Sequence, residues 1–512
     1  MSDIEKNIDE LLQELSDELN YNDKTLAIIL AAGHGKRIKS ETPKMLHEIW
    51  GVPTVLRVSN AARDGLNSAN QILVVGIKAD EVASSCGETA NRAFVYQAEQ
   101  KGTGHAVRIA LDAVTDANYD GAIYVFPGDA GLLNKEVVAE FRQAFDENNC
   151  DMMVLTSLFH GPSEENYYGR IVRVPERDAE GVSSGEDAGK VIEIKEHKDI
   201  LSLSENESYL TKFGNRTYRF SRQELLETRE FNTGLYAFSA ASLRENINAL
   251  SVDNVQGELY VTDLIAIFNQ RGLSVRAFAT QDEDAVLGFN VKSVWKQMDS
   301  IARAKAYEQL KDTITVADRE DFFIADDVIE DLLKMDREFG PLDIEIGKGV
   351  HIGSGVKLAR KVSIESNVYV SGNVELSDGV VLQRSVHLST YPHQKMKIGK
   401  NSRIFKNNII KGDLVIGENC SIESSVNMTG SDEYPIRIGN NVLIKGTSYI
   451  FGCVIEDDIW VEHSILKHKY VERTLRKDGT VQPVKWVLPQ PQGLDTIRTV
   501  APNVAEDLED QE

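Results

Sequence analysis

The sequence predicts an α/β domain, with a mixed sheet between helices, followed by a parallel β-solenoid. Two observations support this prediction. Between residues 25 and 290, short apolar runs alternate with stretches of helical periodicity, which indicates a sheet packed between helices. From residue 346 onward, apolar residues recur every six positions, a period that is typical of repeat architectures and fits neither a helix nor an alternating strand. The 512 residues are enough for more than one such domain.

The first domain is predicted to span residues 25–290. Apolar runs of a length that suits buried strands mark its sheet, at Thr25–Leu30, Gln71–Val75, Ala122–Phe126, Met152–Leu155 and Gly234–Phe238. Two polar stretches, 175–188 and 201–215, interrupt the pattern and are interpreted as insertions.

Helical segments are predicted on both sides of this domain. Residues 1–24 are expected to form an acidic amphipathic extension, with a capping box at Ser2 and Glu5 and apolar residues at helical spacing. Residues 291–340 are expected to form a helical connector.

The second domain is predicted over residues 341–470 and consists of hexapeptide repeats. The recurring apolar positions are Ile346, Ile352, Leu358, Ile364, Val370, Leu376, Leu382 and Leu388, then Ile398, Ile404, Ile410, Ile416, Ile422 and Met428, then Ile438, Ile444 and Ile450. The breaks at 389–397 and 429–437 are expected to be loops. Such repeats resemble the left-handed β-helix of hexapeptide acyltransferases, which usually trimerise, and the resemblance implies a homotrimer. Residues 471–512 are expected to form a hairpin at Asp478-Gly479 and an acidic tail.

Composition limits the partners of this chain. The net charge of −24 argues against a nucleic-acid backbone, which is bound mainly through clustered lysine and arginine. No apolar run is long enough to span a bilayer and the start of the chain lacks a signal-peptide pattern, so we expect a cytoplasmic protein that does not bind membranes. The four cysteines are scattered without metal-ligand spacing and are expected to be free thiols.

A glycine-containing turn after the first strand is the strongest functional signal. Backbone N–H groups at such a turn can approach a polyphosphate, because glycine has no Cβ to collide with it. Arg37 and Lys44 then add positive charge, the first as a planar fork and the second as a mobile point charge. The residues predicted to contact a nucleotide at this turn are Leu30, Ala31, Ala32, Gly33 and Gly35.

This turn, with Pro43-Lys44 after it, resembles the signature of the sugar-1-phosphate nucleotidyltransferases, although Lys36 replaces that family's usual threonine. The order of the later motifs resembles the bacterial N-acetylglucosamine-1-phosphate uridylyltransferases with a C-terminal hexapeptide-repeat domain. The resemblance implies a Rossmann-like nucleotidyltransferase domain followed by a left-handed parallel β-helix. It also implies transfer of a uridylyl group from UTP to an N-acetylhexosamine-1-phosphate, with Arg37 and Lys44 as catalytic residues.

The same resemblance implies the other binding residues. Gln97 would read the uracil edge, where an amide can both donate and accept, and Gly102 and Thr103 would face the base. The residues expected to contact the sugar phosphate are Gly169, Glu196, Asn232, Tyr260 and Thr262.

A magnesium site is predicted at Asp129. This residue follows the strand Ala122–Phe126, so its carboxylate would lie at the carboxyl end of a strand, where open sheets bind ligands. Hard carboxylate oxygens suit Mg²⁺. The resemblance pairs Asp129 with Asn290 as the second metal ligand.

Two alternative functions remain open from the sequence. One is a bifunctional enzyme that also acetylates glucosamine-1-phosphate in a divergent solenoid site. The chain lacks the acyl-transfer motifs of that family, and the candidate bases His351, His387, His393 and His463 are each expected to be surface side chains. The other is a non-catalytic sensor of sugar nucleotides, which would not require both metal ligands.

Overall fold

The computed structural model describes residues 3–33, 35–204, 208–252, 254 and 256–485, and the chain divides into two compact units, Met1–Ala302 and Arg303–Glu512. Nine strands form the sheet of the first unit. They are β1 (Thr25–Ala31), β2 (Gln71–Val75), β3 (Arg92–Tyr96), β4 (Ala122–Pro127), β5 (Met152–Leu158), β6 (Arg170–Arg173), β7 (Val191–Lys195), β8 (Glu230–Ser239) and β9 (Val275–Ala279).

The sheet is mixed, as predicted. The strand order is β9-β5-β8-β4-β1-β2-β3, with β6 beside β8 and β7 beside β6. The strands β1 to β4 pair in parallel, whereas β8 runs antiparallel to both β4 and β5. The carboxyl ends of β1, β2 and β4 therefore lie along one edge of the sheet.

Apolar layers cover both faces of this sheet. Ile29, Leu73 and Phe126 belong to one buried cluster, and their chain neighbours Ile28 and Ile72 belong to another. Successive strand residues point to opposite faces, so strands that are covered on both sides read as continuous apolar runs.

The α-helices described up to residue 310 are α1 (Asp3–Leu15), α2 (Thr54–Leu66), α3 (Ala79–Cys86), α4 (Thr103–Asp112), α5 (Lys135–Asn148), α6 (His197–Leu201), α7 (Arg222–Glu227), α8 (Ala240–Asn246), α9 (Leu264–Gln270) and α10 (Lys292–Leu310).

The N-terminal helix is shorter than the predicted extension of residues 1–24. It ends at Leu15, and the chain then runs along the edge strand β3. There Asp17 N donates to Arg92 O at 2.7 Å, and Ser16 Oγ accepts from Phe94 N at 2.9 Å. Hydrogen bonds to the sheet edge thus replace the last helical turns. The predicted capping residue Ser2 lies outside the described residues.

The insertion predicted at 201–215 contributes one strand of a hairpin. Tyr209–Phe213 and Arg216–Phe220 form an antiparallel hairpin. Tyr218 of this hairpin is buried in a small apolar cluster with Val172 and Ile192.

Three parallel sheets form the second unit, as predicted for the left-handed β-helix. The strands of the first sheet are Thr315–Val316, Glu345–Ile346, Ser363–Ile364, Val381–Leu382, Arg403–Ile404, Ser421–Ile422, Leu443–Ile444, Trp460–Glu462 and Val484–Lys485. Those of the second are Phe322–Ile324, Val350–Ile352, Tyr369–Ser371, His387–Ser389, Ile409–Gly412, Asn427–Gly430, Tyr449–Phe451 and Ile465–Lys467. Those of the third are Lys357–Leu358, Val374–Leu376, Met396–Ile398, Leu414–Ile416, Ile436–Ile438, Val454–Ile455 and Tyr470–Val471.

The solenoid extends beyond the predicted range of 341–470 at both ends. Thr315–Val316 and Phe322–Ile324 pair with its first strands, inside the segment expected to be a helical connector. The helix α11 (Asp326–Phe339) follows them. At the other end, Val484–Lys485 pairs with Trp460–Glu462. Sequence periodicity missed these strands because they are short and lie outside the regular six-residue run.

Three further features of the described residues relate to the sequence predictions. None of its helices is both long and apolar enough to cross a membrane. The four cysteines are free thiols, and all are buried. Leu475 and Val481 form an antiparallel bridge around the turn at Asp478-Gly479.

Candidate active site

The glycine-containing turn that is predicted to bind phosphate, called the phosphate loop below, begins where β1 ends. Gly35 has a φ of +56°, in the left-handed region, and a Cβ added to it would lie 2.8 Å from the Cβ of Lys44. Only glycine permits this approach. The turn after β1 is thereby packed against the short 3₁₀ helix Lys44–Leu46, which carries Lys44.

The remaining predicted nucleotide-binding residues lie along the same edge. Ala31 and Ala32 are buried, whereas Gly33 is exposed. Leu30 O accepts a hydrogen bond of 3.0 Å from Gly128 N, which ties the end of β1 to the end of β4. Gly76 after β2 was not predicted, and a Cβ on it would lie 2.8 Å from Ala32 O.

Lys44, Asp129 and Asn290 come together in one cluster. Lys44 Nζ lies 2.5 Å from Asp129 Oδ2 and donates to Asn290 Oδ1 at 3.0 Å. The side chain of Lys44 is 9% exposed and that of Asp129 18%. The resemblance assigned Lys44 to the triphosphate, and Asp129 and Asn290 to a metal ion. In the structure, Lys44 contacts both of the other side chains.

Arg37 does not join this cluster. Its side chain is exposed, and it makes no hydrogen bond or ion pair with any residue that the structure describes. His34, inside the same motif, lies outside the described residues.

The donor atoms at Asp129 and Asn290 fit a magnesium ion. One carboxylate and one amide oxygen are hard ligands within reach of a single cation, and Mg²⁺ completes its shell with waters and phosphate oxygens. Across the described ranges, no three His, Cys, Asp or Glu side chains are grouped so that they could hold a metal. With two protein oxygens, the other ligand positions of a magnesium ion would be taken by water and phosphate oxygens.

Gln97 is 3% exposed, and its amide orientation is fixed by its neighbours. Nε2 donates to Gly102 O at 3.3 Å and lies 3.0 Å from His105 Nδ1. Burial, together with Arg108 and Lys101, lowers the pKa of His105, which favours a neutral ring whose Nδ1 accepts. Both amide N–H groups are thus used by the protein, so Gln97 presents an acceptor, Oε1, to a ligand. The sequence-based prediction was that this amide would donate and accept at once, whereas in this arrangement Oε1 remains for a ligand.

Gly102 and Thr103 join two loops. Gly102 has a φ of +104°, and a Cβ on it would lie 2.4 Å from Leu259 O. Thr103 Oγ1 accepts a hydrogen bond of 3.1 Å from Val261 N, and Gly104 N donates to Leu259 O at 2.8 Å. The segment predicted to face the base therefore supports the segment that carries Tyr260 and Thr262.

The five predicted sugar-binding residues lie on neighbouring elements of the first unit. A Cβ on Gly169 would lie 3.0 Å from Glu196 Oε1, and Gly169 O accepts from Asn232 N at 2.9 Å. Asn232 Nδ2 donates to Tyr236 OH at 2.8 Å. Tyr260 OH accepts from Gln256 Nε2 at 2.6 Å, and Thr262 is buried.

Arg170 lies beside these residues and was not predicted from the sequence as a site residue. It is fully buried, and its guanidinium donates to Asn166 Oδ1 at 2.9 Å, to Asn166 O at 2.6 Å and to Tyr168 O. Burial lowers the pKa of Arg170 to about 10, opposed by the charge of Glu196. The motif Tyr168-Gly169-Arg170 marked this segment in the sequence, but a motif does not show whether its arginine is buried or exposed.

Glu196 has an unusual protonation equilibrium. Burial raises the pKa of its carboxyl group to about 7, helped by the nearby charges of Asp199 and Asp263 and opposed by Arg170. A carboxyl group with such a pKa can donate a hydrogen bond to a sugar hydroxyl when it is protonated and accept one when it is not.

The residues predicted to bind the sugar lie close to those predicted to bind the metal. A Cβ on Gly234 of β8 would lie 3.4 Å from Pro127 Cγ, two residues before Asp129. Tyr168 stacks on Phe231, and its pKa is raised to about 12 by burial and by the charge of Asp129. The predicted sugar, base and metal residues thus surround one edge of the sheet.

Two solenoid histidines, His351 and His387, are half-buried in a stack of rings, whereas His393 and His463 are exposed. Phe323, His351, Tyr369 and His387 stack in a row, with ring centres 4.4 to 4.8 Å apart. Burial and the charge of Lys411 lower the pKa of His387. His393 Nε2 lies 3.0 Å from Asp432 Oδ2, in a contact between the two predicted loops.

The open mixed sheet, the glycine turn and the cation–carboxylate cluster at its edge define a nucleotidyltransferase domain. Residues 27–256 match the family model of the MobA-like NTP transferase domain.

More particular relatives are named bifunctional protein GlmU. The chain is 32% identical to that of Clostridium tetani over 304 residues, 59% of this chain and 58% of the relative. It is 28% identical to that of Clostridium kluyveri over 465 residues, 91% of this chain and 72% of the relative. The chain thus spans little more than half the length of the first of these relatives.

Proposed function

We propose that the protein is a sugar-1-phosphate uridylyltransferase that converts UTP and an N-acetylhexosamine-1-phosphate into the UDP-sugar and pyrophosphate. One observation carries the proposal. Lys44 Nζ reaches both Asp129 and Asn290 at the end of the phosphate loop, which gathers a cation and two hard oxygens where a triphosphate would bind. A protein that only binds sugar nucleotides has no need of this metal-type pair.

The reaction needs no general base. A phosphate oxygen of the sugar-1-phosphate attacks the α-phosphorus of UTP, a new P–O bond forms, and the bond to pyrophosphate breaks. Because the nucleophile is already an anion, catalysis consists of holding the two substrates in line and balancing their charge. Lys44 and the exposed Arg37 are the side chains proposed to face the phosphates.

Magnesium is the proposed cofactor, held by Asp129 and Asn290. When bound, Mg²⁺ supplies charge neutralisation at the phosphate oxygens. The chain's own contribution is to present two oxygens at the edge of the sheet, with Gly288 close enough that a Cβ there would lie 3.3 Å from Asp129 Oδ2.

Base choice is assigned to Gln97. Its Oε1 can accept from the N3–H of uracil, whereas cytosine presents an acceptor at N3 and would be repelled. Neutral His105 and Gly102 O support this orientation of the amide.

The similarity to GlmU of Clostridium kluyveri extends over 91% of this chain and therefore into the solenoid. An N-acetylated sugar as substrate is supported by the motif Glu196-His197-Lys198-Asp199, which resembles that of uridylyltransferases acting on N-acetylglucosamine phosphate. We propose that the solenoid assembles the chain into a cytoplasmic homotrimer. The packing of His351 and His387 within the ring stack does not favour a second, acyl-transfer activity.

The test is to incubate the protein with UTP, Mg²⁺ and the 1-phosphates of N-acetylglucosamine, N-acetylgalactosamine and glucose, and to follow pyrophosphate. Release with an N-acetylated sugar is expected. Asp129→Asn should abolish most of it, whereas Asp120→Asn, at an exposed ion pair with Lys24, should not. Binding of UTP and sugar without release of pyrophosphate would favour the sensor.

A further inference from the structure

The ammonium of Lys44 lies between the two proposed metal ligands. Nζ is 2.5 Å from Asp129 Oδ2 and 3.0 Å from Asn290 Oδ1. It also lies 5.4 Å from the ring centre of Phe289, the residue before Asn290. Lys44 therefore contacts both side chains that are proposed to hold a divalent cation, through one carboxylate oxygen and one amide oxygen.

The two cations exclude each other at this position. Lys44 is 9% exposed, and a charge so enclosed requires an anionic partner. Mg²⁺ would approach the same oxygens to roughly 2.0–2.1 Å. Two positive charges at contact distance in a largely enclosed site repel strongly, so Asp129 and Asn290 can hold one of them at a time.

A bound triphosphate would offer the ammonium of Lys44 phosphate oxygens as alternative partners. The Cβ of Lys44 is packed beside Gly35, so the side chain starts at the wall of the phosphate loop. Lysine is a point charge on a flexible stem of four carbons. Rotation about its side-chain bonds can carry the ammonium from Asp129 to phosphate oxygens without moving the backbone.

We propose that Lys44 is an internal competitor of the divalent cation. In the free protein its ammonium holds Asp129 and Asn290, and a bound triphosphate draws it away and frees both oxygens. The metal then binds weakly to the free protein and enters with the nucleotide. This inference rests on the proposed function, because a triphosphate is the ligand that moves Lys44.

The test measures Mn²⁺ affinity of the full chain without nucleotide, by titration calorimetry or electron paramagnetic resonance. Lys44→Met removes the competing charge, and we expect it to bind Mn²⁺ about tenfold tighter than the unmodified protein. Lys39→Met removes an equal charge from an exposed lysine five residues away. Its Mn²⁺ affinity should stay within about twofold of that of the unmodified protein. Adding Asp129→Asn to Lys44→Met should abolish the gain.

Equal or weaker Mn²⁺ binding by folded Lys44→Met would overturn the proposal. Circular dichroism checks that the variants are folded. If Lys44→Met is unfolded, the same Mn²⁺ titration is made with Lys44→Gln, which removes the charge but keeps a hydrogen-bond donor for Asp129. The titration contains no nucleotide, so it is independent of turnover. Pyrophosphate release without a gain in Mn²⁺ affinity overturns only the competition, whereas a gain without any release overturns only the proposed function.

Discussion

Thr103 Oγ1 accepts a hydrogen bond from the backbone N–H of Val261 at 3.1 Å. Val261 is buried and stands between Tyr260 and Thr262, whereas Thr103 opens the helix α4 beside the base loop. The residues predicted to face the base and those predicted to hold the sugar are thus joined by a side chain that the sequence assigned to the base alone.

Thr103→Val should therefore impair both substrates. It leaves the buried N–H of Val261 without this partner, which costs about 1–3 kcal/mol of unfolding free energy. We expect the KM values for UTP and for the sugar phosphate to rise together. Urea unfolding and steady-state kinetics measure both effects. Thr103→Ser keeps the hydroxyl and is the control, so identical behaviour of the two variants would contradict the coupling.

Gln97→Ala should narrow the preference for UTP over CTP. The variant loses the acceptor Oε1, and a lost contact of this kind in an enclosed site costs roughly 1–3 kcal/mol. Competition kinetics with the two nucleotides measure the ratio of kcat/KM. Gln143→Ala, at an exposed glutamine of α5, serves as control. An unchanged ratio would move base recognition away from Gln97.

Arg37→Ala should lower turnover by on the order of 10²-fold, because a group that stabilises developing phosphate charge is lost. Its melting temperature should stay unchanged, since Arg37 is exposed and has no bonding partner among the described residues. Arg37→Lys keeps the charge and should lose less activity. A large loss of stability with normal turnover would show that Arg37 is structural.

Glu196→Gln should change how stability depends on pH. The folded protein holds the Glu196 proton up to a pKa of about 7, whereas the unfolded chain releases it near the ordinary value of 4.5. The folded state binds more protons in this window, so the contribution of Glu196 to stability falls as pH rises through it. Glutamine does not titrate.

Urea unfolding at about pH 5 and about pH 8 measures the effect. Relative to the unmodified protein, Glu196→Gln should gain about 1–3 kcal/mol on going to the higher pH. Glu140→Gln, at an exposed position of α5, is the control, and its unfolding free energy should change with pH as that of the unmodified protein does. Parallel behaviour of Glu196→Gln would contradict the raised pKa of Glu196.

Sequence patterns predicted most of the architecture. The apolar runs marked β1, β2 and β4 to within a residue, because strands covered on both faces require apolar side chains at every position. The six-residue period predicted the solenoid because one residue in every six points into its interior and must be apolar. Short strands such as Thr315–Val316 escaped notice, because their pairing partners, not their own residues, make them strands.

The chain by itself determined the fold class, the order of the motifs and the residue types at the candidate site, because these follow from local periodicity and side-chain chemistry. Only the tertiary structure decided which groups meet. Lys44 and Asn290 are 246 positions apart in sequence, yet one ammonium contacts Asn290 and Asp129 together. Burial decided the pKa of Glu196 and the partners of Arg170, since desolvation and neighbouring charges depend on atoms that folding brings close from distant parts of the chain.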